Sequence, residues 1–125
     1  MILTRSEGSN PNTGEIEIIS CYYDSSNIIM SDYFTKTNKL YIYFSKGIVY
    51  SYYNVDKEMY EKFENAESQG KFFAKNLRVN ENYPYSKEFK LREYEINDIK
   101  KIINEAKSET KNKNNSLDEE KREDI

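Results

Sequence analysis

Histidine and tryptophan are absent from the 125 residues, and cysteine occurs once, at Cys21. Each absence closes a class of chemistry. Without histidine there is neither the usual general base at neutral pH nor the commonest neutral metal ligand. A single thiol cannot build a thiolate or imidazole zinc site, a Cys-His nucleophile pair or a disulfide framework. The lack of a disulfide framework fits a reducing compartment, so the expected location is the cytoplasm. The four glycines, Gly8, Gly14, Gly47 and Gly70, stand too far apart for a GxxxxGK[ST] or GxGxxG phosphate loop. No apolar run is long enough to suggest a signal peptide or a membrane span. A basic excess is lacking too: 19 Lys and Arg face 22 Asp and Glu, a net charge of −3. That balance argues against a polymer of phosphates as the main partner. The acidic residues are scattered and form no catalytic pattern. The expectation is a protein that is not an enzyme, with no catalytic residue, metal or cofactor.

What the chain has in plenty is tyrosine. There are 12, with six phenylalanines, and four of the tyrosines fall at positions 50, 52, 53 and 60. Their surroundings alternate. In KLYIYFS, 39–45, Leu40, Ile42 and Phe44 share one face and Tyr41 and Tyr43 the other. Lys46-Gly47 reads as a tight turn. In the return strand, 48–53, Tyr50 and Tyr52 share one face, and Val49 and Tyr53 the opposite one. Two further strands are expected at 15–23 and 27–34, after a loop at 4–14.

The period then changes. Met59, Tyr60, Phe63 and Ala66 recur at helical spacing from Asp56, with Gly70 as the natural stop. A second helical piece covers 71–78, a loop surrounds Pro84, and 87–94 is a short strand or nothing regular. Ile99, Ile102, Ile103 and Ala106 predict a last helix over about 97–111, capped by Asn97. The expected fold class is α+β: an antiparallel sheet of about four to five strands, followed by two C-terminal helices packed on one face. The expected organisation is an N-terminal strand or loop at 1–14, one domain at 15–110 and a polar tail at 112–125, loosely helical or disordered.

Charge is uneven along this map. Residues 1–70 carry a net of −4, residues 71–92 a net of +4 and residues 93–125 a net of −3. The basic segment follows directly on the tyrosine strands and the first helix. It holds two of the four arginines, Arg78 and Arg92. Both faces of the 39–53 hairpin need cover, so one face is expected to meet helices and the other a subunit or a ligand. The bland alternative for each tyrosine is packing with a wet hydroxyl, and for Arg78 a surface ion pair. The functional alternative is a stacking surface for a planar base, with arginines on its phosphates. The candidate ligand-binding residues are Tyr50, Tyr52, Ser68, Phe73, Arg78, Tyr83 and Arg92. Tyr50 and Tyr52 would stack or donate hydroxyls. Arg78 and Arg92 would bind phosphate, and Ser68 would donate near Gly70 or cap a helix end. Phe73 is also a natural core residue.

From about residue 25 to 85 the chain resembles the KTSC domain family. The resemblance is carried by Ser25-Ser26-Asn27-Ile28, Tyr33, Leu40, Phe44, Gly47, Tyr50-x-Tyr52, Val55, Tyr60, Ala66-x-Ser68-x-Gly70, Phe73, Arg78 and Tyr83-Pro84. It departs from the family pattern at Phe34, where Asp is common, at Asp56, where Pro is common, and by a two-residue insertion in the approach to Tyr83-Pro84. The family takes its name from the C-terminal extension of some lysyl-tRNA synthetases, which implies RNA binding; it also occurs as small stand-alone proteins, many from phages. By length and element order alone, the chain is also similar to phage Thoeris anti-defence proteins that sequester cyclic ADP-ribose signals. That likeness implies a homo-oligomer with ligand pockets and no catalysis, and it transfers no site residues. The leading expectation is capture of a small nucleotide-derived signal, of cyclic ADP-ribose or cyclic oligonucleotide type. The alternatives are an RNA-binding module and a structural oligomerisation domain.

Overall fold

The computed structural model describes residues 1–123, with side chains described through residue 109. Six strands form one antiparallel meander in chain order: β1 (Ile2–Ser9), β2 (Ile16–Tyr23), β3 (Ile28–Phe34), β4 (Lys39–Phe44), β5 (Ile48–Tyr52) and β6 (Tyr85–Lys90). Helices α1 (Lys57–Glu64) and α2 (Gln69–Asn76) intervene between β5 and β6, and α3 (Glu93–Glu123) follows. The α+β class is as expected. The strand count is one or two higher, because most of the expected 4–14 loop pairs as β1 and the ambiguous 87–94 stretch contributes to β6.

Alternation fixes the two faces. Leu40, Ile42 and Tyr52 pack with Tyr60 and Phe63 of α1 and Phe73 and Leu77 of α2. Tyr41, Tyr43 and Val49 join Ile99 and Ile103 of α3 in a second cluster. The helices therefore cover both faces, not one. The reason lies in the strands: adjacent Ile28 and Ile29 are both buried, one in each cluster, so neither face can be left to water. The Tyr41/Tyr43 face, expected to await a subunit or ligand, is met in part by α3 of the same chain.

Helix ends follow local chemistry. Asp56 is the N-cap of α1, and its carboxylate accepts from the Met59 N–H at 2.8 Å. Gly70 is not the terminator of α1, which ends at Glu64 with Asn65 as C-cap; Gly70 lies in the first turn of α2. The last helix starts at Glu93, four residues before the expected Asn97. There the Glu95 carboxylate accepts from the Arg92 N–H at 3.1 Å, the returning half of a capping box. Its backbone stays helical to Glu123, through most of the expected tail.

Gly47 locks the β4–β5 turn to α3. Its φ is 99°, its N–H donates to the Phe44 carbonyl at 2.8 Å, and its carbonyl accepts from the Leu91 N–H at 2.7 Å. A Cβ there would lie 2.7 Å from Ile96 Cδ1. Gly47→Ala should cost about 2–4 kcal/mol, combining left-handed strain with overpacking. Urea denaturation checks it; a loss under about 0.5 kcal/mol, the scatter of an ordinary surface change, would show the turn to be permissive.

Candidate functional site

Between β5 and α2 lies a cavity of about 480 Å³, within the usual range for small-molecule sites. Its wall is aromatic and closed on itself. Phe44 meets Tyr50 with ring centroids 5.9 Å apart, and Tyr50 meets Tyr85 at 5.6 Å. Tyr85 meets Tyr52 at 5.9 Å, Tyr52 meets Phe73 at 5.3 Å, and Phe73 returns to Phe44 at 5.3 Å. Four of these five contacts are edge-to-face, the arrangement that ring quadrupoles favour. Tyr52 and Phe73 are buried, Phe44 and Tyr50 half-buried, and Tyr85 is 61% exposed at the open side.

The register explains the collar. Ile42 faces Tyr50 and Leu40 faces Tyr52, so Phe44 falls beside Tyr50 on the same face. Tyr52 pairs with Tyr85 of β6. Phe73 comes down from α2, which is set by its Ser68 cap. The remaining lining includes Lys46, Ile48, Arg78 and Val79 and contains no Asp or Glu. In a chain of net charge −3, a site walled by aromatics and two cations is locally electropositive. Neither Lys46 nor Arg78 forms an ion pair among the described residues. Burial pushes the Tyr52 hydroxyl up to about 12, while the nearby Arg78 charge pulls the other way. At neutral pH it is therefore a hydrogen-bond donor.

Val79, on the rim beside Arg78, has φ 54° and is 90% exposed. A β-branched residue in this left-handed region carries strain of roughly 1–3 kcal/mol. Asn38 and Asn54 also have positive φ, but asparagine tolerates it. The strained residue thus sits at the cavity mouth.

Four of the seven expected site residues, Tyr50, Tyr52, Phe73 and Arg78, line this cavity. Phe73 is both core and wall. Ser68 lies in an adjoining shallow groove that shares Asn27, Gly70 and Ala74 with the cavity, and its Oγ accepts from the Lys71 N–H at 3.2 Å as the N-cap of α2. Tyr83 is half-buried on the opposite flank, in a groove that shares Val79 and Tyr85. Arg92 is not brought to the site. It is exposed at the start of α3, on the other side of the sheet, where its Nη1 donates to the Tyr94 hydroxyl at 3.4 Å. Sequence reasoning passed over Lys46, Phe44 and Tyr85. Phe44 was recoverable, because the tight turn at 46–47 already sets it next to Tyr50. Lys46 was read only as part of that turn, and Tyr85 had no local signal.

Two other chemistries find little in the structure. Among the described residues no group of three or more Cys, Asp or Glu is placed to hold a metal ion. No described helix is long and apolar enough to cross a membrane.

Comparison with known proteins places this geometry in a family context. No curated protein matches the chain. A crystal structure of a KTSC domain protein from Yersinia pestis is similar at 20% identity and a TM-score of 0.48, covering 69% of this chain and all of that one. The KTSC domain itself matches residues 24–83, which take in β3 to β5, α1, α2 and much of the cavity wall. Over residues 24–83 the chain is thus similar to the KTSC domain family.

Proposed function

We propose that this protein is a non-catalytic binder that captures a small nucleotide-derived ligand in the cavity between β5 and α2. One observation carries the reading: five aromatic rings and two cations enclose a cavity whose lining has no carboxylate. Rings accept a planar base by stacking, worth roughly 1–3 kcal/mol per base. Lys46 and Arg78 answer phosphate charge, Arg78 with a planar fork that matches phosphate oxygens. Capture asks for burial, stacking and a few donors, with no nucleophile or general base.

The ligand classes that fit are cyclic ADP-ribose-type signals and cyclic oligonucleotides. Sequestration of such a signal would suit a phage protein that blocks host immune signalling in the cytoplasm, and a homo-oligomer would hold several ligands at once. Calorimetry with cyclic ADP-ribose isomers, cyclic oligonucleotides and ADP tests the reading. Binding of at least one is expected, weakened about tenfold or more by Tyr50→Ala. No heat with any of them defeats the proposal. Tighter retention of tRNA, with a steep loss on adding salt, would make the protein an RNA-binding module instead.

A further inference from the structure

The two cations of the cavity stand at its opposite ends. Lys46 is in the β4–β5 turn, next to Ile48 at the start of β5. At that end the Ser45 N–H donates to the Asn27 carbonyl at 2.8 Å, and Asn27 lies against Gly70 of α2. Arg78 follows the other end of α2 and acts electrostatically on Tyr52, at the close of β5. Ile48 to Tyr52 spans about 13 Å of strand. Gly70 to Arg78 spans about 12 Å at helical rise. Strand and helix therefore form the sides of a trough. Its cations are at the two ends, and its rings, Phe44, Tyr50, Tyr52, Phe73 and Tyr85, lie between.

Carboxylates stand beyond both ends. Asp24 and Glu67 line the groove past Gly70 beside a single cation, Lys71, and Asp24 is engaged by Lys107 at 3.0 Å. Glu81 lines the groove past Val79. A longer polyanion running through the trough would meet these carboxylates at each exit. A compact ligand with one negative group at each end would not.

We infer that the cavity takes a ligand whose base is flanked by phosphates on both sides, as in a nucleoside 3′,5′-bisphosphate or a unit of a small cyclic oligonucleotide, with the base in the ring collar and one phosphate at Lys46 and one at Arg78. A ligand with both phosphates linked on one side of its base leaves one cation unanswered. This inference rests on the nucleotide-binding reading and selects among its ligand classes. It favours the cyclic oligonucleotide type over the cyclic ADP-ribose type, whose two phosphates are joined to each other.

Two probes of equal composition separate the options. Adenosine 3′,5′-bisphosphate and ADP carry the same base and the same number of phosphates, placed differently. Calorimetry on the full chain should show the bisphosphate binding about tenfold or more tightly than ADP. Lys46→Gln and Arg78→Gln should each reduce the bisphosphate to the affinity of the matching monophosphate, 5′-AMP or 3′-AMP. Circular dichroism of both variants should match the parent, since neither side chain is buried. If ADP binds as well as the bisphosphate, or if both variants bind the bisphosphate unchanged, the inference falls and the nucleotide-binding reading stands. If neither probe binds and the wider ligand panel is also silent, the reading itself falls.

Discussion

Raising the pH above about 10 should unfold this protein cooperatively, with the midpoint at about pH 11 or higher. Four tyrosines, Tyr23, Tyr33, Tyr52 and Tyr60, are at most 5% exposed. Burial is the main cause that raises each of their hydroxyls above the ordinary tyrosine value, Tyr52 to about 12 and Tyr23 and Tyr60 further. Partners hold the protonated forms in place. The Tyr33 hydroxyl donates to the Val55 carbonyl at 2.8 Å, and the Tyr60 hydroxyl donates to Glu64 at 3.2 Å. Tyr23 shares a hydrogen bond of 2.6 Å with Ser31.

The sign follows from proton counts. Below pH 10 folded and unfolded chains both keep these protons, and the tyrosines leave stability unchanged. Above it the unfolded chain releases them and the folded chain does not, so stability falls with pH. Each retained proton costs about 1.4 kcal/mol per pH unit, so the three strongly raised hydroxyls, Tyr23, Tyr52 and Tyr60, cost roughly 4 kcal/mol per unit, with Tyr52 contributing up to about pH 12. A total stability of about 5 kcal/mol is exhausted just above pH 11, and a larger one at correspondingly higher pH. Tyrosinate absorbance of the buried rings should rise in a step coincident with loss of far-ultraviolet dichroism. A smooth rise completed before any loss of dichroism would contradict the burial of these rings.

The same rings show what was legible in the sequence. Parity alone put Tyr50 and Tyr52 together and sent Tyr53 to the other face, because a strand has a period of two and the Lys46-Gly47 turn leaves one register. Parity does not say what covers a face. Leu40 and Tyr41 look equally in need of cover, and only the fold shows α1 and α2 over one and α3 over the other. Tyr85 was out of reach for a related reason. Its partner Tyr52 is 33 residues away, and the pairing of β6 with β5 is a long-range contact. Arg92 failed because charge was counted along the chain. The basic segment 71–92 crosses from one face of the sheet to the other at β6, so its two arginines part company. The cavity was thus half visible: its strand side followed from alternation, while its helix and β6 sides depended on tertiary packing.

Gln69→Leu should cost about 2–4 kcal/mol, although it keeps the shape of the side chain. Gln69 is fully buried. Its Nε2 donates to the Phe63 carbonyl at 3.3 Å, the Glu64 carbonyl at 3.3 Å and the Ala66 carbonyl at 2.9 Å. These carbonyls lie at the C-terminal end of α1 and just beyond it, where helical backbone runs short of donors; the Phe63 carbonyl also accepts from the Ala66 N–H at 3.3 Å. One amide from the first residue of α2 therefore closes the exit of α1. Leucine would take the donor from the Glu64 and Ala66 carbonyls, and that penalty is larger than the net gain of an average hydrogen bond. Ser68→Ala, one residue away, loses a cap only and should cost about 1 kcal/mol. Urea denaturation should rank Gln69→Leu well below Ser68→Ala in midpoint, with similar slopes. Equal losses would mean that other groups satisfy those carbonyls. The α1–α2 corner also fixes the line along which α2 delivers Phe73 and Arg78 to the cavity. Gln69→Leu should therefore weaken ligand binding more than Ser68→Ala does, at temperatures where both variants remain folded, without touching a single lining residue.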